Sequence, residues 1–122
     1  MAKKILIVDD DHVYSEMVKT FLETQGYQVW RVEDGSALAA RVAGGDLPDL
    51  FIVDMQMPGG GGPGAVKNLR DTPETKFIPI IICSAMSTLH QEGWFKDQPK
   101  MRFAQKPCQL AEIAGHVQDL LR

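Results

Sequence analysis

Short, unbroken apolar runs that stop at an acid constrain this chain more than any other feature. Ile5-Leu6-Ile7-Val8 ends at Asp9, and Leu50-Phe51-Ile52-Val53 ends at Asp54. A strand with one wet face alternates apolar and polar residues, so continuous runs of this length imply strands covered on both faces, as in a parallel sheet. Between the runs the period changes. Val13, Met17 and Phe21, with Val18 and Leu22, recur at spacings of three and four, which predicts a helix ending at Gly26. Tyr27 to Val32 reads as a second strand and Ser36 to Val42 as a second helix closed by Gly44-Gly45. Ala65 to Leu69 suggests a short third helix. Ile78 to Cys83 is a fourth strand, with Pro79 near its start where a missing N–H is tolerable. Thr88 to Phe95 is read as a helix, Met101 to Gln105 as a fifth strand, and Leu110 to Leu121 as a closing amphipathic helix. Strand and helix alternate five times, which predicts an α/β fold, (βα)5, with a doubly wound parallel five-stranded sheet.

Length and charge narrow what such a fold is for. The 122 residues suit one domain spanning 1–122, able to bury roughly 65% of its unfolded surface without disulfides or metals as staples. A net charge of −3, with no Lys/Arg run longer than two, argues against a nucleic-acid surface. The apolar stretch after Lys3-Lys4 is too short for a signal-peptide core or a membrane span, so a cytoplasmic protein is expected. Cys83 and Cys108 form no disulfide framework or metal spacing. Cys83 is expected to be buried within its strand and Cys108 to be the more exposed.

In doubly wound sheets the ligand site lies beyond the carboxyl ends of the strands, at the switch point. The residues there are Asp9-Asp10-Asp11, Asp54, Ser84 and Lys106. If the order is 2-1-3-4-5, strands one and three are neighbours and their acids meet. Crowded carboxylates repel unless a cation lies among them, and two or three of them with water suit Mg²⁺. Lys106 brings a point charge and Ser84 a hydroxyl, both suited to phosphoryl oxygens, while a carboxylate such as Asp54 can accept a phosphoryl group covalently. Asp11 is expected to cap the following helix instead.

Four segments carry a resemblance. Ile7-Val8-Asp9-Asp10-Asp11, Ile52-Val53-Asp54-Met55-Gln56-Met57-Pro58, Ile82-Cys83-Ser84-Ala85 and Gln105-Lys106-Pro107 are similar to the four signatures of response-regulator receiver domains. The gaps of 44 residues from Asp10 to Asp54, 30 to Ser84 and 22 to Lys106 resemble those of compact members. The match covers essentially the whole chain. It implies a flavodoxin-like sheet of order 2-1-3-4-5, with Asp54 as phosphoacceptor in a two-component phosphorelay. It also implies Mg²⁺ held by Asp9, Asp10, Asp54 and the carbonyl of Gln56, with Ser84 and Lys106 on the phosphoryl oxygens. Phe103 matches the aromatic that changes rotamer with the serine, and Lys106-Pro107 a bond commonly held cis. The implied partners are a histidine kinase or histidine phosphotransfer protein and a downstream protein target or output domain, with neither nucleic acid nor membrane. The protein-interaction surface that switches would be the face of the fourth and fifth strands and helices. Gln56 and Met86 would flank the water that hydrolyses the acyl phosphate, and the apolar Met86 implies slow self-dephosphorylation.

Three positions depart from the commonest pattern: Ser84 where Thr is usual, the glycines at 59–62 with Pro63-Gly64 after them, and the segment Gly93 to Pro99 before strand five. Other chemistries fit less well. An aspartyl phosphatase wants a second acid two residues after the nucleophile, where Gln56 stands, and a flavin phosphate would be repelled by the strand-end acids. Gly59 to Gly64 lacks the Lys-Ser/Thr of a P-loop and reads as a flexible loop. His12, His90 and His116 show no metal spacing, and Trp94-Phe95 is read as core cover or as a partner patch.

Overall fold

The computed structural model describes residues 2–55, 61–84, 100–106 and 108–122, with residues 61–63 by backbone alone. The elements are β1 (Lys4–Val8), α1 (His12–Thr24), β2 (Gln28–Val32), α2 (Gly35–Ala43), β3 (Leu50–Asp54), α3 (Gly61–Asp71), β4 (Ile80–Ser84), β5 (Met101–Gln105) and α4 (Leu110–Leu120). All five strands are parallel and lie in the order β2-β1-β3-β4-β5. The expected order and architecture therefore hold. The helix read at Thr88 to Phe95 lies outside the described residues, as do Gln56, Met86, His90, Trp94 and Pro107.

The unbroken runs have the physical basis assigned to them. Along β1, Ile5 and Ile7 enter one core while Leu6 and Val8 enter the other. Leu50 and Ile52 of β3 join the first core and Phe51 and Val53 the second; β4 divides Ile81 and Cys83 from Ile80 and Ile82. The first core is roofed by Val18 and Leu22 of α1 and by Ile113, Ala114 and Val117 of α4. Leu38 of α2 and Val66 and Leu69 of α3 roof the second. Each fully buried Leu, Ile or Phe contributes about 1.5–3 kcal/mol by leaving water. The edge strands β2 and β5 are less apolar because each has a neighbour on one side only.

Gly26 ends α1 as expected. Its φ of +96° is the left-handed region, and the Gly26 N–H donates to the Glu23 carbonyl while the Tyr27 N–H donates to that of Leu22. The glycine cluster is a correction. Gly61 to Gly64 form the first turn of α3 rather than a loop, so this helix is longer than the expected Ala65 to Leu69. First-turn N–H groups lack intrahelical partners, so Pro63 removes no hydrogen bond there. Burial of Val66 and Leu69 offsets the entropy of the glycines. Cys108 is the more exposed of the two thiols, as expected, at 9% against 3% for Cys83, yet it too is buried against the first core.

Candidate functional site

Every strand that ends at the carboxyl edge near β1 and β3 delivers a polar residue there. Asp9 follows β1 directly, Asp54 ends β3, Ser84 ends β4 and Lys106 follows β5. Parallel register makes them neighbours, with Val8 opposite Val53, Asp54 opposite Cys83 and Ser84 opposite Gln105. The Lys106 N–H donates to the Ser84 carbonyl at 2.7 Å, carrying the ladder one step further.

Asp9 and Asp54 are 3% and 4% exposed, while Asp10 is exposed at the mouth. Carboxylate oxygens of the three all lie within 4.8 Å of one another. Lys106 Nζ sits 3.1 Å from Asp9 Oδ2 and 3.5 Å from Asp54 Oδ2. Burial alone would favour the neutral amine, but the charges of Asp9 and Asp54 outweigh it and hold the Lys106 ammonium above its usual range. Among the described residues, three carboxylates against this one ammonium leave an excess of negative charge. Octahedral Mg²⁺ holds oxygens at about 2.0–2.1 Å, so opposite ligands stand about 4.2 Å apart. Of three ligands at most one pair can be opposite, and the rest are adjacent, about 3 Å apart. Oxygens within 4.8 Å of one another would therefore draw in around the ion or bind it partly through water. The all-oxygen donor set and the charge excess fit that ion.

Two networks brace the acids. The other Asp9 oxygen, Oδ1, accepts the Asp11 N–H at 2.9 Å, which fixes the turn carrying Asp10. Asp11 Oδ1 caps α1 by accepting the Tyr14 N–H at 3.1 Å. Buried Ser15 donates to the Asp11 carbonyl and accepts from Arg31 Nε, tying the start of α1 to β2. His12 lies at the surface, paired with Glu33 at 2.9 Å.

Ser84 is buried, and Phe103 is half-buried on β5. By strand alternation Ile80, Ile82 and Ser84 share a sheet face, and Phe103, opposite Ile82, lies on that same face one step before Ser84. The structure thus brings Asp9, Asp10, Asp54 and Lys106 together and sets Ser84 and Phe103 beside them. Gln56 lies outside the described residues.

Sequence reasoning missed Tyr14. Its ring centroid is 4.8 Å from Lys106 Nζ, and its hydroxyl donates to the Cys108 carbonyl at 3.3 Å. The only sequence signal is an aromatic three residues past a helix cap at a strand end, and it does not say which way the ring points. Both thiols, Cys83 beneath Asp54 and Cys108, are pushed up by burial to about 12 and are not nucleophiles at neutral pH.

Comparison with known proteins agrees with this geometry. Residues 5–118 match the response regulator receiver domain family. Over its whole length the chain is 29% identical to the response regulator PleD of Caulobacter vibrioides, of which it covers 27%. It spans between about a quarter and a half of the length of the curated relatives it matches. Among solved structures it is similar to the chemotaxis response regulator CheY4 of Vibrio cholerae, with a TM-score of 0.88 and 27% identity over 99% of this chain and 100% of that one. The response regulator TrrA of Thermotoga maritima, solved in complex with Mg²⁺–BeF, gives a TM-score of 0.83 and 28% identity over 98% and 99% of the two chains. Among the described residues no helix is long and apolar enough to cross a membrane. A five-stranded parallel sheet with acids and a lysine gathered at its carboxyl edge, matched over nearly all of its length, makes this chain a member of the response regulator receiver domain family.

Proposed function

We propose that this chain is the phosphoacceptor of a two-component phosphorelay, taking a phosphoryl group onto Asp54 from a phosphohistidine of a kinase or phosphotransfer protein. One observation carries the reading: Lys106 Nζ lies 3.1 Å from Asp9 and 3.5 Å from Asp54, in a cluster with an excess of carboxylate charge at neighbouring strand ends. An Asp54 oxygen attacks phosphorus, the donor's P–N bond breaks, and the departing imidazole takes up a proton. Lys106 neutralises charge on the phosphoryl oxygens and the Ser84 hydroxyl donates to one of them. Asp9, Asp10 and Asp54 would hold Mg²⁺, with the Gln56 carbonyl as a further ligand. Bound there, the ion supplies positive charge against the same oxygens. The Mg²⁺–BeF complex of TrrA supports this choice of cation.

Drawing the Ser84 hydroxyl toward a phosphoryl group would disturb the face it shares with Phe103. The change in Phe103 packing would shift a two-state surface on the β4–β5 side toward a downstream target or output domain. Hydrolysis resets the switch: water attacks phosphorus, the bond to Asp54 breaks, and carboxylate and inorganic phosphate return. The cell compartment that fits this role is the cytoplasm.

The test is phosphotransfer from a phosphohistidine-bearing donor domain. The donor should lose its label as this chain gains one, in the presence of Mg²⁺ and not with EDTA. Transfer unaffected by EDTA, or undiminished in Asp54→Asn, would overturn the reading.

A further inference from the structure

Lys106 is a flexible side chain whose position decides whether its charge reaches the acceptor. Asp9 and Asp54 beside it are carboxylates that a divalent cation would also claim. The ammonium also lies over the face of Tyr14, 4.8 Å from the ring centroid. Mg²⁺ seeks hard oxygen ligands and has no comparable claim on the ring, whereas an ammonium over an aromatic face is held by the ring quadrupole. The tyrosine is itself fixed at both ends. Its backbone N–H is bound by the Asp11 cap, and its hydroxyl donates to the Cys108 carbonyl, two residues beyond the lysine. Burial pushes the phenol above its usual range, so the hydroxyl remains a donor at every working pH.

We infer that Tyr14 is the positioning residue for Lys106: its ring face holds the ammonium at the acid cluster, and its hydroxyl ties the lysine-bearing segment to α1. The cation and the ammonium then share the carboxylates without the lysine being driven from the site. The inference rests on the phosphoacceptor reading for its effect on rate, but not for the contact itself.

The contact is read by NMR of the lysine ε-methylene protons. In the wild type those of Lys106 should be shifted upfield by the ring current, and should stay shifted at saturating Mg²⁺. Tyr14→Phe should keep the shift, while Tyr14→Leu and Tyr14→Met should lose it. A wild-type shift that is absent, or that vanishes with Mg²⁺, would overturn the inference. The rate arm is labelling by acetyl phosphate. Tyr14→Leu should slow it about five-fold, the size of one cation–π contact. Tyr14→Phe should stay within about two-fold, because it keeps the ring face. In a Lys106→Met background Tyr14→Leu should change the remaining rate by less than about two-fold, since the two residues act as one unit. Equal slowing in both backgrounds would mean that Tyr14 acts on the fold and not through Lys106. Tyr14→Met serves in both arms if the leucine variant does not fold. If the wild type takes no label at all, the phosphoacceptor reading fails, and the ring-current shift still decides whether Tyr14 holds the lysine.

Discussion

Polar groups are buried at both ends of the sheet, and the two ends treat them in opposite ways. At the amino ends of β4 and β5, Arg70 donates to the backbone carbonyl of Ile78 at 2.8 Å and to that of Lys100 at 3.4 Å. Beside it, fully buried Thr75 donates to the Leu69 carbonyl at 2.6 Å. The carbonyls that meet these donors are neutral, and the arrangement closes the loop between α3 and β4. At the carboxyl end, carboxylates face one another across one ammonium and leave negative charge in excess. A buried cation on backbone carbonyls is a structural tie. Crowded like charges in a braced frame could hold a cation that relieves their repulsion.

Arg70→Ala should break the structural end and spare the other. It takes the Arg70 donor from the Ile78 carbonyl and leaves the Lys100 carbonyl with the Ile80 N–H alone. It also removes buried packing, so urea unfolding should show a loss of about 2–3 kcal/mol. Labelling of Asp54 by acetyl phosphate should persist in the folded fraction. Loss of labelling with little loss of stability would erase the distinction.

The adjacent acids Asp10 and Asp11 divide the same way within one turn. Asp11→Ala removes the cap of α1 and should cost about 1 kcal/mol, with Mg²⁺ affinity little changed. Asp10→Ala should lower Mg²⁺ affinity by about ten-fold or more, with no loss of stability in the metal-free protein. Titrations followed by NMR, with thermal unfolding of both variants, would show whether the two roles separate.

A smaller effect comes from the apolar floor of the site. Burial raises the Cys83 thiol from 9.0 to about 12, so the folded protein keeps a proton that the unfolded chain begins to lose near pH 9. The contribution is therefore whole below about pH 9 and is lost as pH rises toward 12. Cys83→Val should flatten the fall of stability with pH across that window, and an unchanged slope in urea unfolding would refute the assignment.

Much of this was legible in the residues. Unbroken runs such as Ile5 to Val8 announce strands covered on both faces, and whatever follows a run lies at the carboxyl edge, so Asp9, Asp54, Ser84 and Lys106 could be gathered from spacing alone. Tyr14 could not, because its partner is 92 residues away and its direction is set by a cap and a distant carbonyl. The start of α3 was hidden because glycine and proline signal loops by propensity, while burial of Val66 and Leu69 decides the matter.

The most direct measurement of the central claim is intact mass after brief treatment with acetyl phosphate. With Mg²⁺ the wild type should gain one labile phosphate, and with EDTA or in Asp54→Asn it should gain none. A phosphate on Asp54→Asn, or one on the wild type without a divalent cation, would contradict the account.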